Sequence, residues 1–262
     1  MIRVAVAGAA GRMGRLIVKN VVEDDELELV QTFDVREIGR DAGELAGVGG
    51  VGIPIMHADE MEKILNADVL VDFTVAEGAV ENIRVASEKG VKLVVGTTGF
   101  TDEHWQKIRE YCKRVPAVIS PNFSIGVNIF WKLVEFASKF LRDYDIEIME
   151  VHHRFKKDAP SGTALKTAEI VKNIVGDRKI VFGREGICPR GNEIGILAVR
   201  GGDVVGEHTT FFIGFGERIE LTHRAWSRQA FASGAIKAVK WVVGIDQPGI
   251  YDMDHVLGFK RP

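Results

Sequence analysis

His152, His153, Lys156 and Lys157 crowd one short stretch of the chain, and Ser161-Gly162-Thr163 follows almost at once. An imidazole titrates near neutrality and is tuned by a neighbouring ammonium or a bound anion, so either His152 or His153 is suited to exchange a proton at working pH. A lysine neutralises and positions an anion, or donates a proton. Ser161 is suited to cap a helix, with Gly162 and Thr163 turning backbone N–H groups toward a carboxylate and placing no bulky side chain in its way. Pro160 holds Ala159 extended and so fixes the approach to that turn. A cationic strand end running into an ordinary capped helix would use the same residues. Their conjunction favours an anion site with acid–base capacity.

A second group of residues is suited to a dinucleotide. Gly8-Ala9-Ala10-Gly11-Arg12-Met13-Gly14 follows an apolar run and opens a helical pattern. Glycines there let the backbone turn tightly beside a pyrophosphate, and the helix start supplies unpaired N–H groups. Asp34 lies at the end of the next expected strand, where a carboxylate accepts hydrogen bonds from the adenosine ribose. That carboxylate would repel a ribose 2′-phosphate, which favours NADH over NADPH, while Arg12 and Arg36 offset the repulsion in part. Gly96-Thr97-Thr98-Gly99 and Ser120-Pro121-Asn122-Phe123 each follow a further expected strand. Ligands of such folds bind beyond the carboxyl ends of the strands, so these turns are candidates for the nicotinamide side.

The elements that must position these residues change character along the chain. Before Pro121, short β-rich runs alternate with helical patterns, which predicts a parallel sheet covered on both faces. Strands are expected at 3–7, 27–33, 69–73, 92–96 and 117–120, and helices at 12–22, 59–65, 79–89 and 102–113. Gly90 is expected to end the third of these helices in a left-handed conformation, and 39–52 reads as irregular loop. Beyond Pro121 come a helix at 128–141, a strand at 146–151 and a helix at 164–175 closed by Gly176. Strands at 196–199, 208–213 and 218–222 and a last helix at 229–243 complete the pattern. In the helix at 164–175, Leu165, Ala168, Val171 and Val175 form the expected buried face. The predicted fold class is α/β, a Rossmann-type parallel-sheet dinucleotide-binding domain from residues 1–123 and 228–262 plus a central α+β domain at 124–227.

Composition excludes several classes. A chain of 262 residues with 46% hydrophobic content can bury an ample core. A formal net charge of -3 leaves no electrostatic footprint for nucleic acid or an anionic membrane. Cys112 and Cys188 show no metal-binding or redox spacing and read as inert buried thiols, so no metal site is expected. No uncharged stretch approaches membrane-spanning length and no signal segment is evident, which points to the cytoplasm.

These motifs resemble the dihydrodipicolinate reductase family, the 4-hydroxy-tetrahydrodipicolinate reductases of lysine and diaminopimelate biosynthesis. The similarity rests on 8–14, 96–99, 120–123 and above all His152-His153-Arg154-Phe155-Lys156-Lys157-Asp158-Ala159-Pro160-Ser161-Gly162-Thr163. It continues through 199–208, 216–225 and 249–253. The resemblance implies an NADH- or NADPH-dependent oxidoreductase acting on a small cyclic dicarboxylate, with the central domain binding substrate and forming a homotetramer. By the family pattern, His152 is the proton donor or acceptor and Lys156 a second donor, with His153, Ser161, Gly162 and Thr163 around the substrate. Gly8 through Met13, Asp34, Gly96 through Thr98, and Ser120 through Phe123 would contact the cofactor. Several relatives carry an arginine directly after the acidic residue of the second strand. Here Val35 stands in that position and the arginine is deferred to Arg36, which again favours NADH. Competing readings are an aspartate dehydrogenase-like enzyme for a small imino acid and a non-catalytic dinucleotide sensor. The sensor has no use for the histidine–lysine cluster.

Overall fold

Runs such as Val69-Leu70-Val71, wholly buried, are apolar on both faces, and that is what a parallel strand sandwiched between two helical layers requires. The computed structural model describes residues 1–262. In chain order the first elements are β1 (Ile2–Ala7), α1 (Arg12–Val22), β2 (Leu27–Asp34), α2 (Ala42–Ala46), β3 (Ile55–His57) and α3 (Met61–Ile64). They are followed by β4 (Val69–Asp72), α4 (Ala76–Glu88), β5 (Lys92–Val95), α5 (Asp102–Tyr111) and β6 (Pro116–Ile119). Next come α6 (Ile125–Phe140), β7 (Asp145–His152), α7 (Gly162–Val175), β8 (Lys179–Phe182), β9 (Glu193–Arg200), β10 (Gly206–Ile213) and β11 (Arg218–Ala225). The chain ends with α8 (Gln229–Val243), β12 (Gly249–Tyr251) and α9 (Met253–Val256).

Two units emerge, one of Met1–Ile125 with Gln229–Pro262 and one of Gly126–Arg228. The first is built on a seven-stranded sheet in the order β12-β6-β5-β4-β1-β2-β3, with every neighbouring pair parallel. The order reverses between β1 and β4, so the crevice that binds ligands in doubly wound folds opens there. One apolar layer joins α1 and α8 to one face, as in Ile17 and Val239 against Val4. A second, with Ile83 and Ile108 against Leu70 and Leu93, joins α4 and α5 to the other. The second unit has a five-stranded mixed sheet, β11-β10-β7-β9-β8, in which β10 runs antiparallel to both neighbours. Its α6 and α7 cover one face, where Trp131 and Val171 meet Ile146, Ile148 and Phe212.

Some local expectations need correction. The stretch at 39–52 is not all loop: Asp41 accepts N–H bonds from Gly43 and Glu44 at 2.8 and 3.0 Å and starts the short α2. The helix expected at 59–65 is a 3-10 turn, Ala58–Glu60, followed by the single turn α3. In α7 the buried face is Ala164, Thr167, Ala168 and Val171, while Leu165 is 43% exposed. The small residues at 164 and 168 bring the helix onto the sheet, which leaves Leu165 on the flank. Cys112 is buried and its thiol is pushed up to about 12 by that burial, but Cys188 is exposed. Strands β3, β8 and β12, which the sequence did not announce, are short edge strands without a strong alternating pattern.

Candidate functional site

The glycine turn between β1 and α1 is shaped by close contacts. Gly8 has φ +78°, and a Cβ there would lie 2.7 Å from the Phe73 carbonyl oxygen. At Gly14 a Cβ would lie 2.0 Å from the Gly8 carbonyl oxygen, so only glycine lets α1 approach the turn. Gly11 caps α1 with no side-chain hydrogen bond, which leaves first-turn N–H groups for an anion. Asp34, 7% exposed, ties this turn to the end of β2. Its Oδ2 accepts the Ala10 N–H at 2.9 Å, and its Oδ1 accepts those of Val35 and Arg36 at 2.8 and 3.1 Å. Arg36 Nε stands 3.8 Å from the same Oδ1, with its side chain 70% exposed.

A cleft of about 350 Å³ opens at the switch point, lined by Gly8, Gly11, Asp34, Arg36, Phe73 and Thr74 among others. A glycine-lined turn, an uncapped helix start and a carboxylate at one cleft fit a dinucleotide. Ala9 and Ala10 are buried behind the turn. Gly96, Thr97 and Thr98 follow β5, and Ser120, Pro121, Asn122 and Phe123 follow β6, so both stand at strand ends of the same sheet without lining this cleft. The Phe123 ring packs 5.9 Å from that of Phe73, and Ser120 Oγ donates to the Asn122 carbonyl at 2.9 Å.

Asp72, which sequence reasoning passed over, links these turns. Fully buried, it accepts from Thr97 Oγ1 at 2.7 Å, the Thr74 N–H at 3.0 Å, Thr74 Oγ1 at 2.8 Å and Asn82 Nδ2 at 2.7 Å. Burial pushes its carboxyl up, against the pull of those four donors. An acid closing the apolar run of β4, as Asp34 closes β2, was the available signal.

In the second unit, alternation along β7 decides which side chains meet. Ile146, Ile148, Glu150 and His152 share the helix-covered face, and the strand register sets Glu150 opposite His208 and His152 opposite Arg200. Glu150 is wholly buried and His152 is 8% exposed. His152 Nδ1 lies 2.5 Å from Glu150 Oε2, and Arg200 grips both Glu150 oxygens at 2.7 and 2.8 Å. Burial raises the Glu150 carboxyl, but hydrogen bonds from His152, Arg200 and the Ser161 N–H outweigh it and bring it down to about 2. His208 is pushed down to about 3, first by burial and then by the nearby His152, and so stays neutral.

The loop after His152 folds back on 201–204: the N–H groups of His153 and Arg154 donate to the carbonyls of Val204 and Gly202 at 2.7 and 3.1 Å. Lys156 Nζ is held by both oxygens of Asp158 at 2.9 and 2.8 Å. Ser161 caps α7 through its Oγ, which accepts the Ala164 N–H at 3.2 Å. That Oγ also lies 3.0 Å from His208 Nε2, and the Ser161 N–H donates to Glu150. With only 2% exposure, Ser161 faces inward. Its N–H donates to Glu150 and its hydroxyl is shared between the Ala164 N–H and His208, so it also ties the start of α7 to β7 and β10. Gly162 is exposed at the first turn with open space around its missing side chain. No group of three or more His, Cys, Asp or Glu side chains is arranged to hold a metal ion, and no helix is long and apolar enough to cross a membrane.

A doubly wound sheet with a dinucleotide turn, carried on one chain with a unit that concentrates ionisable side chains at a strand end, is the construction of a nicotinamide-dependent oxidoreductase. Comparison narrows the class. "Dihydrodipicolinate reductase, N-terminus" matches residues 2–123 and "Dihydrodipicolinate reductase, C-terminus" matches residues 126–257. The 4-hydroxy-tetrahydrodipicolinate reductase of Archaeoglobus fulgidus is 59% identical over 259 residues, covering 97% of this chain and 99% of that protein. The enzyme of the same name from Methanocaldococcus jannaschii is 53% identical over 272 residues, covering 100% and 99%. Among solved structures, a dipicolinate-bound dihydrodipicolinate reductase from Paenisporosarcina sp. TG-14 matches with a TM-score of 0.78 at 30% identity, covering 96% of this chain and 97% of that one. The chain belongs to the dihydrodipicolinate reductase family.

Proposed function

We propose that this protein reduces 4-hydroxy-tetrahydrodipicolinate to tetrahydrodipicolinate in lysine and diaminopimelate biosynthesis, in the cytoplasm, with NADH preferred and NADPH accepted. The observation that carries the reading is the end of β7, where buried His152, Lys156 and the start of α7 lie on consecutive chain. The dipicolinate in the Paenisporosarcina relative supports a cyclic dicarboxylate as the ligand.

The cyclic hydroxy-imine loses water to a conjugated imine, which takes up one hydride at C4 and one proton at the adjacent carbon. When bound, the reduced nicotinamide supplies the hydride and is itself oxidised. This chain holds the ring and moves the proton. Gly162 and Thr163 offer one ring carboxylate the N-terminal end of α7, with His153 flanking it. His152 exchanges the proton at Nε2, because Nδ1 is turned to Glu150. Lys156 is a second proton donor, held in place by Asp158.

Asp34 supports NADH as the preferred nucleotide, since it is a buried carboxylate that lines the cleft at the end of β2, where an adenosine ribose would meet it. Arg36, exposed beside it, supports acceptance of a 2′-phosphate. The uncovered face of the second sheet carries exposed Leu197 and Val199 beside half-buried Met149, Val151 and Phe211, which supports assembly into a homotetramer.

The test is NADH oxidation dependent on substrate generated freshly from pyruvate and aspartate semialdehyde. Oxidation with oxaloacetate and ammonia instead would indicate an aspartate dehydrogenase, and oxidation with neither would refute catalysis. Arg36→Ala is expected to lower kcat/KM for NADPH several-fold more than for NADH; equal losses would remove Arg36 from nucleotide selection.

A further inference from the structure

Glu150 lies beneath this chemistry, one turn of the strand pleat from His152. It is wholly inaccessible, so it touches neither substrate nor solvent. A lone buried carboxylate is strongly disfavoured, and this one is retained with every oxygen engaged. Oε1 accepts the Ser161 N–H at 3.0 Å and Arg200 Nη2 at 2.8 Å, while Oε2 accepts Arg200 Nη1 at 2.7 Å and faces His152 Nδ1 at 2.5 Å.

We propose that Glu150, braced by Arg200, is the positioning residue of His152: it keeps the imidazole in the Nδ1–H tautomer and leaves Nε2 as the atom that exchanges the proton. The inference rests on the assignment of proton transfer to His152. The other charged and titratable groups around the ring are Arg200 from β9, His208 from β10, Lys156 and Asp158 from the following loop, and His223 from β11 beyond His208. None of them competes for Nδ1. Arg200 and Lys156 are donors, and Asp158 is occupied by Lys156. His208 Nε2 is engaged with Ser161 Oγ at 3.0 Å, and its ring stands edge-on to that of His152 with the centroids 5.2 Å apart. Only Glu150 offers an acceptor.

The opposite side of the ring is shaped to match. A Cβ built at Gly206 would lie 2.9 Å from His152 Nε2 and 3.4 Å from Cδ2. The ring therefore occupies space that only a glycine leaves, and it cannot swing away without giving up Glu150. Arg200 also donates to the Asp158 carbonyl at 2.7 Å, so the same guanidinium that braces the carboxylate anchors the loop carrying Lys156.

Glutamine at position 150 has one oxygen to serve four donors. The Oε1 side faces two groups that can only donate, the Ser161 N–H and Arg200 Nη2, whereas the Oε2 side faces one such group, Arg200 Nη1, and His152, which can reverse its role. The amide NH2 therefore turns to His152 and forces the Nε2–H tautomer. Glu150→Gln is expected to lower kcat by on the order of 10²- to 10⁴-fold, with KM for NADH unchanged. The 15N chemical shifts of the His152 ring should report Nδ1–H in the wild type and Nε2–H in the variant. An Nε2–H ring in the wild type, read on the unmodified protein and so independent of any folding defect, overturns the proposal. His152→Gln separates the two levels of argument. Wild-type kcat in His152→Gln overturns the assignment of proton transfer, whereas loss there with wild-type kcat in Glu150→Gln overturns the positioning role alone.

Discussion

Replacing Glu150 with glutamine should cost the protein most stability at neutral pH and progressively less in acid. Burial raises the Glu150 carboxyl, yet hydrogen bonds from His152, Arg200 and the Ser161 N–H draw it from 4.5 to about 2. A carboxyl with a lower pKa folded than unfolded binds fewer protons in the folded state. Its contribution is complete above the unfolded value and is lost as the pH falls toward the folded one. At about 1.4 kcal/mol per pH unit, the difference corresponds to roughly 3 kcal/mol at pH 7. The pH-dependent part of the gap between wild type and Glu150→Gln should therefore be about 3 kcal/mol at pH 7 and about half of that near pH 3. Leaving the Arg200 charge unmatched adds a cost that does not depend on pH in this range, so the narrowing of the gap is the decisive quantity. Urea unfolding of both proteins, followed by circular dichroism at intervals from pH 7 to pH 3, measures it. A gap that stays constant across the range would show that the Glu150 carboxyl is not held low by these partners.

Asp72→Ala strands the donors of Thr97, Thr74 and Asn82 in a buried place and should cost about 2–4 kcal/mol while raising KM for NADH; an equally stable variant would refute the network. Thr163→Trp should raise KM for the dicarboxylate with little effect on KM for NADH, and an unchanged substrate KM would argue against carboxylate binding at the start of α7. In the native protein a thiol-specific disulfide reagent should modify Cys188 alone, with Cys112 reacting only after unfolding; rapid loss of both thiols would contradict the burial of Cys112.

The parallel sheet was legible because its central strands are short apolar runs punctuated by glycine turns, and α8 because its apolar face is long and regular. The candidate site on 150–163 stood out as a set of residue types on consecutive chain. What could not be read there was the company those residues keep. Arg200 reaches Glu150 across the β7–β9 register, and His208 reaches it across the β7–β10 register, from strands whose pairing no local pattern announces. Ser161 illustrates the converse. Its type and position suit both a cap and a ligand contact, and only its neighbours show the hydroxyl turned inward. Leu165 follows the helical period but falls beside the packing seam, because two small residues, Ala164 and Ala168, decide how α7 lies on the sheet.

The nucleotide-binding unit is assembled from both ends of the chain, and this bears on how the protein is made. Ala232, Ala235 and Val239 of α8 complete the apolar layer that holds Val4 and Ile17, and β12 pairs with β6 to extend the sheet. Lys92 reaches the end of α8, donating to the carbonyls of Val243 and Ile245 at 2.6 and 2.7 Å. While the ribosome is still synthesising the intervening residues, the first 125 lack that layer and carry an unpaired strand edge, a template for association with other chains. Nascent chains arrested before residue 229 should therefore be cut readily by protease within β1 to β6, and protection there should arise only once α8 has cleared the exit tunnel. The residues translated first wait for those translated last.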